Sequence, residues 1–384
     1  MGARKWTFLV AGILFSINSY TQVSFNLNQA KLEINSNSTN VAIAYENYIR
    51  AQQEAKAATL GLLPSFSLEL FLFDYQYVVL RSVIPEPSRF FNASASKELV
   101  GAADLNKLVV KRNMLADFEK TYFLHQMRKE FLPVLAKELN IREEIEAATL
   151  EAYELGAVEF SNYYSAKTAV LSARSLYLAA EQMIASDELG IKLTLELSND
   201  TDLVLEKEEF YNGELPFPST SSEAEQIAVN NSKEIESYIY TINAAKKLKK
   251  GVAISWLSWG GVGFDYFARV SIAKSNIRKL ENERTKAVYE TKNQVSKFYQ
   301  LIDNQKQKIE IQEELVSMAE VNYETKLQNY NGLRGTKIDV NKAELALLGA
   351  KRELTKLNYE LEILYISLKR ALGSTMISNQ VPQQ

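Results

Sequence analysis

Few residues in this chain are equipped for covalent or metal chemistry. His125 is the only histidine among 384 residues and no cysteine occurs, so zinc would lack its usual imidazole and thiolate ligands. A serine nucleophile working with His125 would need a recognisable motif around the serine, and none is present. Glu143, Glu144 and Glu146 cluster, but closely spaced carboxylates on a helix are usually a solvated face. The reading is therefore of a non-enzyme with no cofactor and no metal, in which His125 is a helix-surface or seam residue. The informative stretch is YNGLRGTKID, from Tyr330 to Asp339, where Gly332 and Gly335 interrupt a long helical pattern. A glycine costs about 1 kcal/mol in a helix interior relative to alanine. Two of them three apart mark a tight turn between two helices.

Composition narrows the class further. The chain is 46% hydrophobic and 24% charged with a formal net charge of -3, so it lacks the Lys and Arg excess on which phosphate-backbone binding rests. No nucleic-acid partner is expected. At the start, Arg4 and Lys5 precede an apolar core from Trp6 to Ile17, followed by small and polar residues around Ser19 to Thr21. That is the layout of a secretory signal peptide over residues 1–21. A spanning anchor is the other reading, but the apolar core is well below the roughly 20 residues a membrane helix takes. No later segment has that length of apolar residues, so any membrane crossing by the mature chain must use strands closed into a barrel.

The elements that place the turn come from a repeat. With an offset of 194, Ala30, Asn37, Ser38 and Ala51 fall on Ala224, Asn231, Ser232 and Ala245; with an offset of 177, Tyr153, Ala166 and Ala173 fall on Tyr330, Ala343 and Ala350. The shared order indicates a tandem duplication whose second copy has lost 17 residues between the two sets. The first copy covers 22–195 and the second 222–373. A loop-rich connector at 196–221 separates them, and 374–384 reads as a disordered tail. In the shortened region each copy carries a segment rich in aromatic and β-branched residues with Pro or Gly, at about 63–96 and about 252–272. Both read as strand pairs.

The remainder is helical with a heptad pattern. Val288, Val295, Ile302, Ile309, Val316, Tyr323 and Tyr330 are spaced by seven, a seam that lies along another helix. A helix from Lys274 to Tyr330 would be roughly 85 Å long. The helices read at 222–250 and 337–370 together match that length, so two shorter helices stacked end to end pair with one long one. The first copy reads the same way, with a long helix from about Asp104 to Ala152 kinked at Pro133, a turn at about 153–162, and a return helix from about Tyr163 to Leu189. In the second copy the turn lies at about 331–336.

This arrangement resembles the TolC-like outer-membrane factor family. The resemblance is carried by the turn: Tyr153, Gly156 and Ala166 in the first copy, and Tyr330, Thr336, Asp339 and Ala343 in the second, which closes with SLKRALG at 367–373. It spans essentially the whole mature chain. The implied fold is mainly α with a small β part: long antiparallel coiled-coil helices in two tandem repeats, each contributing a short β-hairpin to a trimeric outer-membrane β-barrel. The resemblance also implies a homotrimer forming an exit duct in the outer membrane and periplasm. Its partners would be a periplasmic adaptor, an inner-membrane pump and outer-membrane lipid.

In that frame Tyr153, Gly156, Tyr330, Gly332, Gly335 and Thr336 would meet the adaptor, and Asp339 and Lys342 would lie at the channel entrance. Two readings stay open for the tyrosines, adaptor contact or seam packing, and for Asp339, entrance residue or helix-start acid. Trp256, Trp259, Tyr266 and Phe267 are either a membrane-interface belt or an apolar cap on the bundle. The sequence departs from the family pattern in placing Leu333, not glycine, three after Tyr330. It also places Lys342 where some members have a second Asp. The segment at 252–272 barely holds two membrane strands of about 9 residues each. A non-conducting periplasmic scaffold with a degenerate barrel is the alternative function.

Overall fold

The computed structural model describes residues 22–63, 86–210, 217–257 and 263–373. The proposed signal peptide, the tail and Trp259 lie outside the described residues. Among the described residues eight α-helices and two short strands follow in order: β1 (Gln22–Phe25), α1 (Leu27–Asn37), α2 (Thr39–Leu60), α3 (Pro87–Glu154), α4 (Phe160–Thr194), β2 (Asp202–Leu205), α5 (Ser221–Asn231), α6 (Lys233–Ala253), α7 (Tyr266–Asn331) and α8 (Lys337–Ala371).

Local sequence sets these boundaries. Asn26 and Gln29 form a reciprocal capping box at the start of α1, satisfying two otherwise orphan amides. Ser38 ends α1 and starts α2 with extended backbone, and Ser232 does the same between α5 and α6, where its side chain accepts from the Ile235 amide at 3.2 Å. Adding 194 to the bounds of α1 reproduces those of α5, and adding 177 to those of α4 reproduces those of α8. These two pairs of duplicated helices thus share their ends to the residue.

The helices lie side by side as one layer. The two long helices, α3 with 68 residues and α7 with 66, are each roughly 100 Å long. In one half of the molecule α2 packs on α3, α3 on α6 and α6 on α7; in the other half α4 packs on α3, α3 on α8 and α8 on α7. The stacking of two short helices against one long one is therefore present twice. Along α7, Val295 and Ile302 are buried and Val288, Ile309, Val316 and Tyr323 half-buried, so the heptad seam faces α6 and α8.

Three expectations are corrected. The long helix of the first copy begins at Pro87, where proline favours the first helical turn, and α3 is helical through Pro133. Residues 87–96, read as strand from their aromatic content, belong to α3. In the second copy Val252 and Ala253 end α6, Ser255–Leu257 form a 3₁₀ turn, and Tyr266 to Ile272 open α7. Aromatic and β-branched residues there read as strand because propensity is a weak prior against helix–helix packing. The strand expectations at 64–85 and 258–262 lie outside the described residues. Finally, the connector holds β2, which pairs in parallel with β1 from Gln22↔Asp202 to Phe25↔Leu205.

The main core lies where this strand pair meets the helices. Leu203 and Leu205 alternate inward from β2. They join Phe118, Tyr122 and Phe123 of α3, Ile191 of α4, and Tyr359 and Ile366 of α8. The Tyr122 hydroxyl and the Gln126 amide both donate to the Glu206 carbonyl, at 2.5 and 2.7 Å, which fixes the connector against α3. Phe210 meets Tyr359 edge-on with centroids 4.7 Å apart.

His125, read as a surface or seam residue, is instead 1% exposed. Burial, then Lys129, with Arg128 adding to it against the opposing effect of Asp187, lowers its pKa to about 4. A base whose folded pKa lies below its unfolded value of about 6.5 is fully compatible with the fold above pH 6.5, and opposes folding progressively as pH falls toward 4. Acidification across that window should cost on the order of 3 kcal/mol. His125→Gln should flatten the dependence of urea-unfolding stability on pH between 6.5 and 4, and an unchanged slope would show that His125 does not carry it.

Candidate functional site

The two turns close in the same way. After α3 the Ala157 amide donates to the Ala152 carbonyl at 2.8 Å and the Gly156 amide to Tyr153 at 2.9 Å; after α7 the Arg334 amide donates to Asn329 at 2.8 Å and the Leu333 amide to Tyr330 at 3.0 Å. This pair of bonds is a Schellman motif, which needs one left-handed residue. Gly156 fills it with φ 71°, and Leu333 fills it with φ 59°. The reversal of the second turn therefore rests on Leu333, not on Gly332 or Gly335. Left-handed backbone costs a residue with a Cβ roughly 1–2 kcal/mol. Leu333 adopts it while 95% exposed, so no burial of its own side chain offsets the strain. Leu155 is likewise exposed in the first turn; it did not stand out in the sequence, because exposure is decided by the turn, whereas Leu333 did, as the residue standing where the family pattern has glycine.

Around the first turn, Tyr153 stacks on Tyr163 with centroids 6.1 Å apart and meets Phe160 edge-on at 5.8 Å. Tyr153 and Tyr330 both remain exposed on one side. Thr336 caps α8: its hydroxyl accepts from the Asp339 amide, and the Asp339 carboxylate accepts from the Thr336 amide and hydroxyl. Those hydrogen bonds hold the Asp339 carboxyl below the usual carboxylate range, with Lys326 and Lys342 adding to the effect. Lys342 is exposed.

The acidic cluster is not a bare solvated face. Glu143 pairs with Arg174 at 2.7 Å, and Glu146 with Lys167 at 2.9 Å, both across to α4. Glu144 accepts from the buried Asn341 amide at 3.0 Å and lies 3.9 Å from Lys337. The structure thereby brings both turns to one end of the layer, linked by α3 and α8.

At the opposite end, the Tyr266 hydroxyl donates to the Ala253 carbonyl at 2.7 Å and closes α6 onto α7. Trp256 and Phe267 are exposed beside it. Tyr266 thus ties the two helix ends together.

Both edges of the layer are apolar and uncovered. Tyr164, Leu171 and Leu178 recur every seven residues on α4 and are exposed, as are Ile311, Leu315 and Met318 on α7. Among the described residues α4 packs chiefly on α3, and this length of α7 packs on α8. Among the described residues there is no group of three or more His, Asp and Glu placed to hold a metal.

No protein-family model matches the chain, and no curated protein matches its sequence. Solved structures do match. The Campylobacter jejuni CmeC outer membrane channel superposes with a TM-score of 0.74 at 12% identity, covering 90% of this chain and 85% of that one. The open state of the Neisseria gonorrhoeae MtrE outer membrane channel gives 0.71 at 15% identity, covering 90% and 88%. The Vibrio cholerae outer membrane protein VceC gives 0.68 at 13% identity, covering 90% and 96%. Two helical repeats laid side by side, capped by matching turns, and superposing on these proteins over nine-tenths of the length, give this chain the TolC-like outer-membrane factor fold.

Proposed function

We propose that the chain is the protomer of a trimeric exit duct, a passive conduit across the periplasm and outer membrane in a tripartite efflux or type I secretion system. The carrying observation is the pair of uncovered apolar edges. An edge on α4 and a different edge on α7 form a head-to-tail contact, and such contacts close into a ring when the rotation permits. Three such layers joined in this way would enclose a helical tunnel. The turns at one end, with Leu155 and Leu333 exposed and Tyr153, Gly156, Tyr330, Gly332, Gly335 and Thr336 around them, would receive the adaptor delivered by an inner-membrane pump. Asp339 and Lys342 would flank the entrance. The outer membrane would lie at the other end.

One observation favours a second reading, a non-conducting periplasmic scaffold. Only twelve residues, 254–265, separate α6 from α7, whereas two membrane-crossing strands take at least about 18. The second repeat cannot supply a spanning pair. A pore closed by this chain would depend on the first repeat or on strands from another protein. Separation of inner and outer membranes followed by alkaline washing, with single-channel recording from the purified trimer, tests the choice. A wash-resistant outer-membrane trimer with unitary conductance is expected for the duct. A washable, non-conducting protein would establish the scaffold.

A further inference from the structure

We infer that the seam joining the two repeats inside one chain is the template for the seam joining one chain to the next, and that a reversed ion pair, Glu314 with Lys167 of the next copy, fixes its register and keeps the repeats alternating. The inference rests on the proposed ring and names the contacts that close it.

The duplication supplies the mapping. α4 and α8 share both ends at an offset of 177, and α3 and α7 share their C-terminal ends at the same offset, Glu154 falling on Asn331. Each contact between α3 and α8 therefore has a counterpart between α7 and an α4. Within the chain α4 packs chiefly on α3, so the counterpart needs the α4 of another copy. Burial agrees with this. Glu138 and Ile141 on α3 and Asn341 on α8 are buried, whereas their counterparts Leu315 and Met318 on α7 and Tyr164 on α4 are 49%, 61% and 62% exposed. The positions that the internal seam covers are those left bare at the two edges of the chain.

The side chains pair as the mapping requires. The internal contact of Glu144 with Asn341, at 3.0 Å, falls on Val321 with Tyr164, an apolar pair of which both members are exposed. The ion pair of Lys137 with Glu344, at 2.6 Å, falls on Glu314 with Lys167, both exposed. Opposite charges again meet, with their helices exchanged. Lys167 already holds Glu146 at 2.9 Å, and an ammonium has three donors, so it can serve both acids. In the other half of the molecule α2 and α6 share their start at an offset of 194. There Gly101 of α3 lies against the Tyr240 ring of α6, and the counterparts are Arg278 on α7 and Glu46 on α2, a further pair of opposite charges, both exposed.

The exchange of sign selects the order of the repeats. An α7 edge placed on the α8 face would set Glu314 against Glu344, and an α3 face placed on an α4 edge would set Lys137 against Lys167. Like charges penalise both alternatives, and only repeat two against repeat one brings acid to base.

The chain has no cysteine, so introduced thiols are its only ones. In the full chain, Tyr164→Cys with Val321→Cys should be joined by a short bismaleimide into covalent dimers and trimers, as should Glu46→Cys with Arg278→Cys. Leu178→Cys with Val321→Cys, which moves one thiol two heptads or about 21 Å along α4, should stay unlinked. Glu314→Lys should raise the concentration at which half the trimer dissociates by about fivefold, and Lys167→Glu added to it should return that concentration toward the parent value. Circular dichroism should not change, since the altered residues are exposed. In a parent that light scattering shows to be trimeric, no link between the predicted thiols, an equal link at the displaced pair, or a Glu314→Lys loss that Lys167→Glu does not reverse would overturn the register and leave the ring standing. A parent that is monomeric throughout would overturn the ring and the register with it.

Discussion

Leu171→Asp combined with Leu178→Asp should convert the proposed trimer into folded monomers and abolish any unitary conductance. Both leucines are exposed on α4 and make no core contact within the chain, so the isolated protomer should change in stability by no more than about 0.5 kcal/mol. In the proposed ring they would be covered by α7 of the next copy. Full burial of a leucine side chain is worth about 1.5–3 kcal/mol. Loss of two at each contact therefore corresponds to roughly a hundredfold to ten-thousandfold weakening of each interface, before the penalty of burying carboxylates. Mass measurement by light scattering decides it. A trimer that survives the double change would place the contact elsewhere, and a wild-type protein that is monomeric at micromolar concentration would remove the ring itself.

Arg352→Ala should be among the most destabilising single changes in the chain. Arg352 on α8 donates to Glu138 on α3 at 3.0 Å across a separation of 214 residues, and the Glu138 side chain is only 8% exposed. Removing the guanidinium leaves a carboxylate in the seam between the two repeats, a change that typically costs 3–5 kcal/mol. Much of this cost is the stranded charge, so Glu138→Leu with Arg352→Met should recover most of the loss, the two apolar side chains occupying similar volume. Denaturant unfolding of the single and double variants tests the sign of the difference. If Arg352→Ala costs less than about 1 kcal/mol, water reaches Glu138 and the pair does not secure the junction.

Much of the architecture was legible because it follows from local physics. The recurrence of Asn37 and Ser38 as Asn231 and Ser232 announces the duplication, but the sequence reading runs a single helix over 222–250 where the structure breaks it at Ser232 into two, because a serine cap does not show in an apolar pattern. A seven-residue seam on α7 announced a long helix with partners. Other features depended on what lies across the fold. The strand readings over 87–96 and 266–272 failed because aromatic residues suit a strand and a helix packed on a neighbour equally well. His125 is buried because α3 runs under α4 at that point, which no local pattern encodes. The glycines of the second turn drew attention, yet the left-handed position falls on Leu333, because the helix end and its two carbonyl acceptors choose which residue must turn. The sequence alone thus determined the doubling of the helices and the long heptad helix of the second copy, since these rest on repeats and periodicity within each segment. Only the tertiary structure decided which apolar stripes are covered and which charges are paired, because burial is a property of the neighbours a side chain meets.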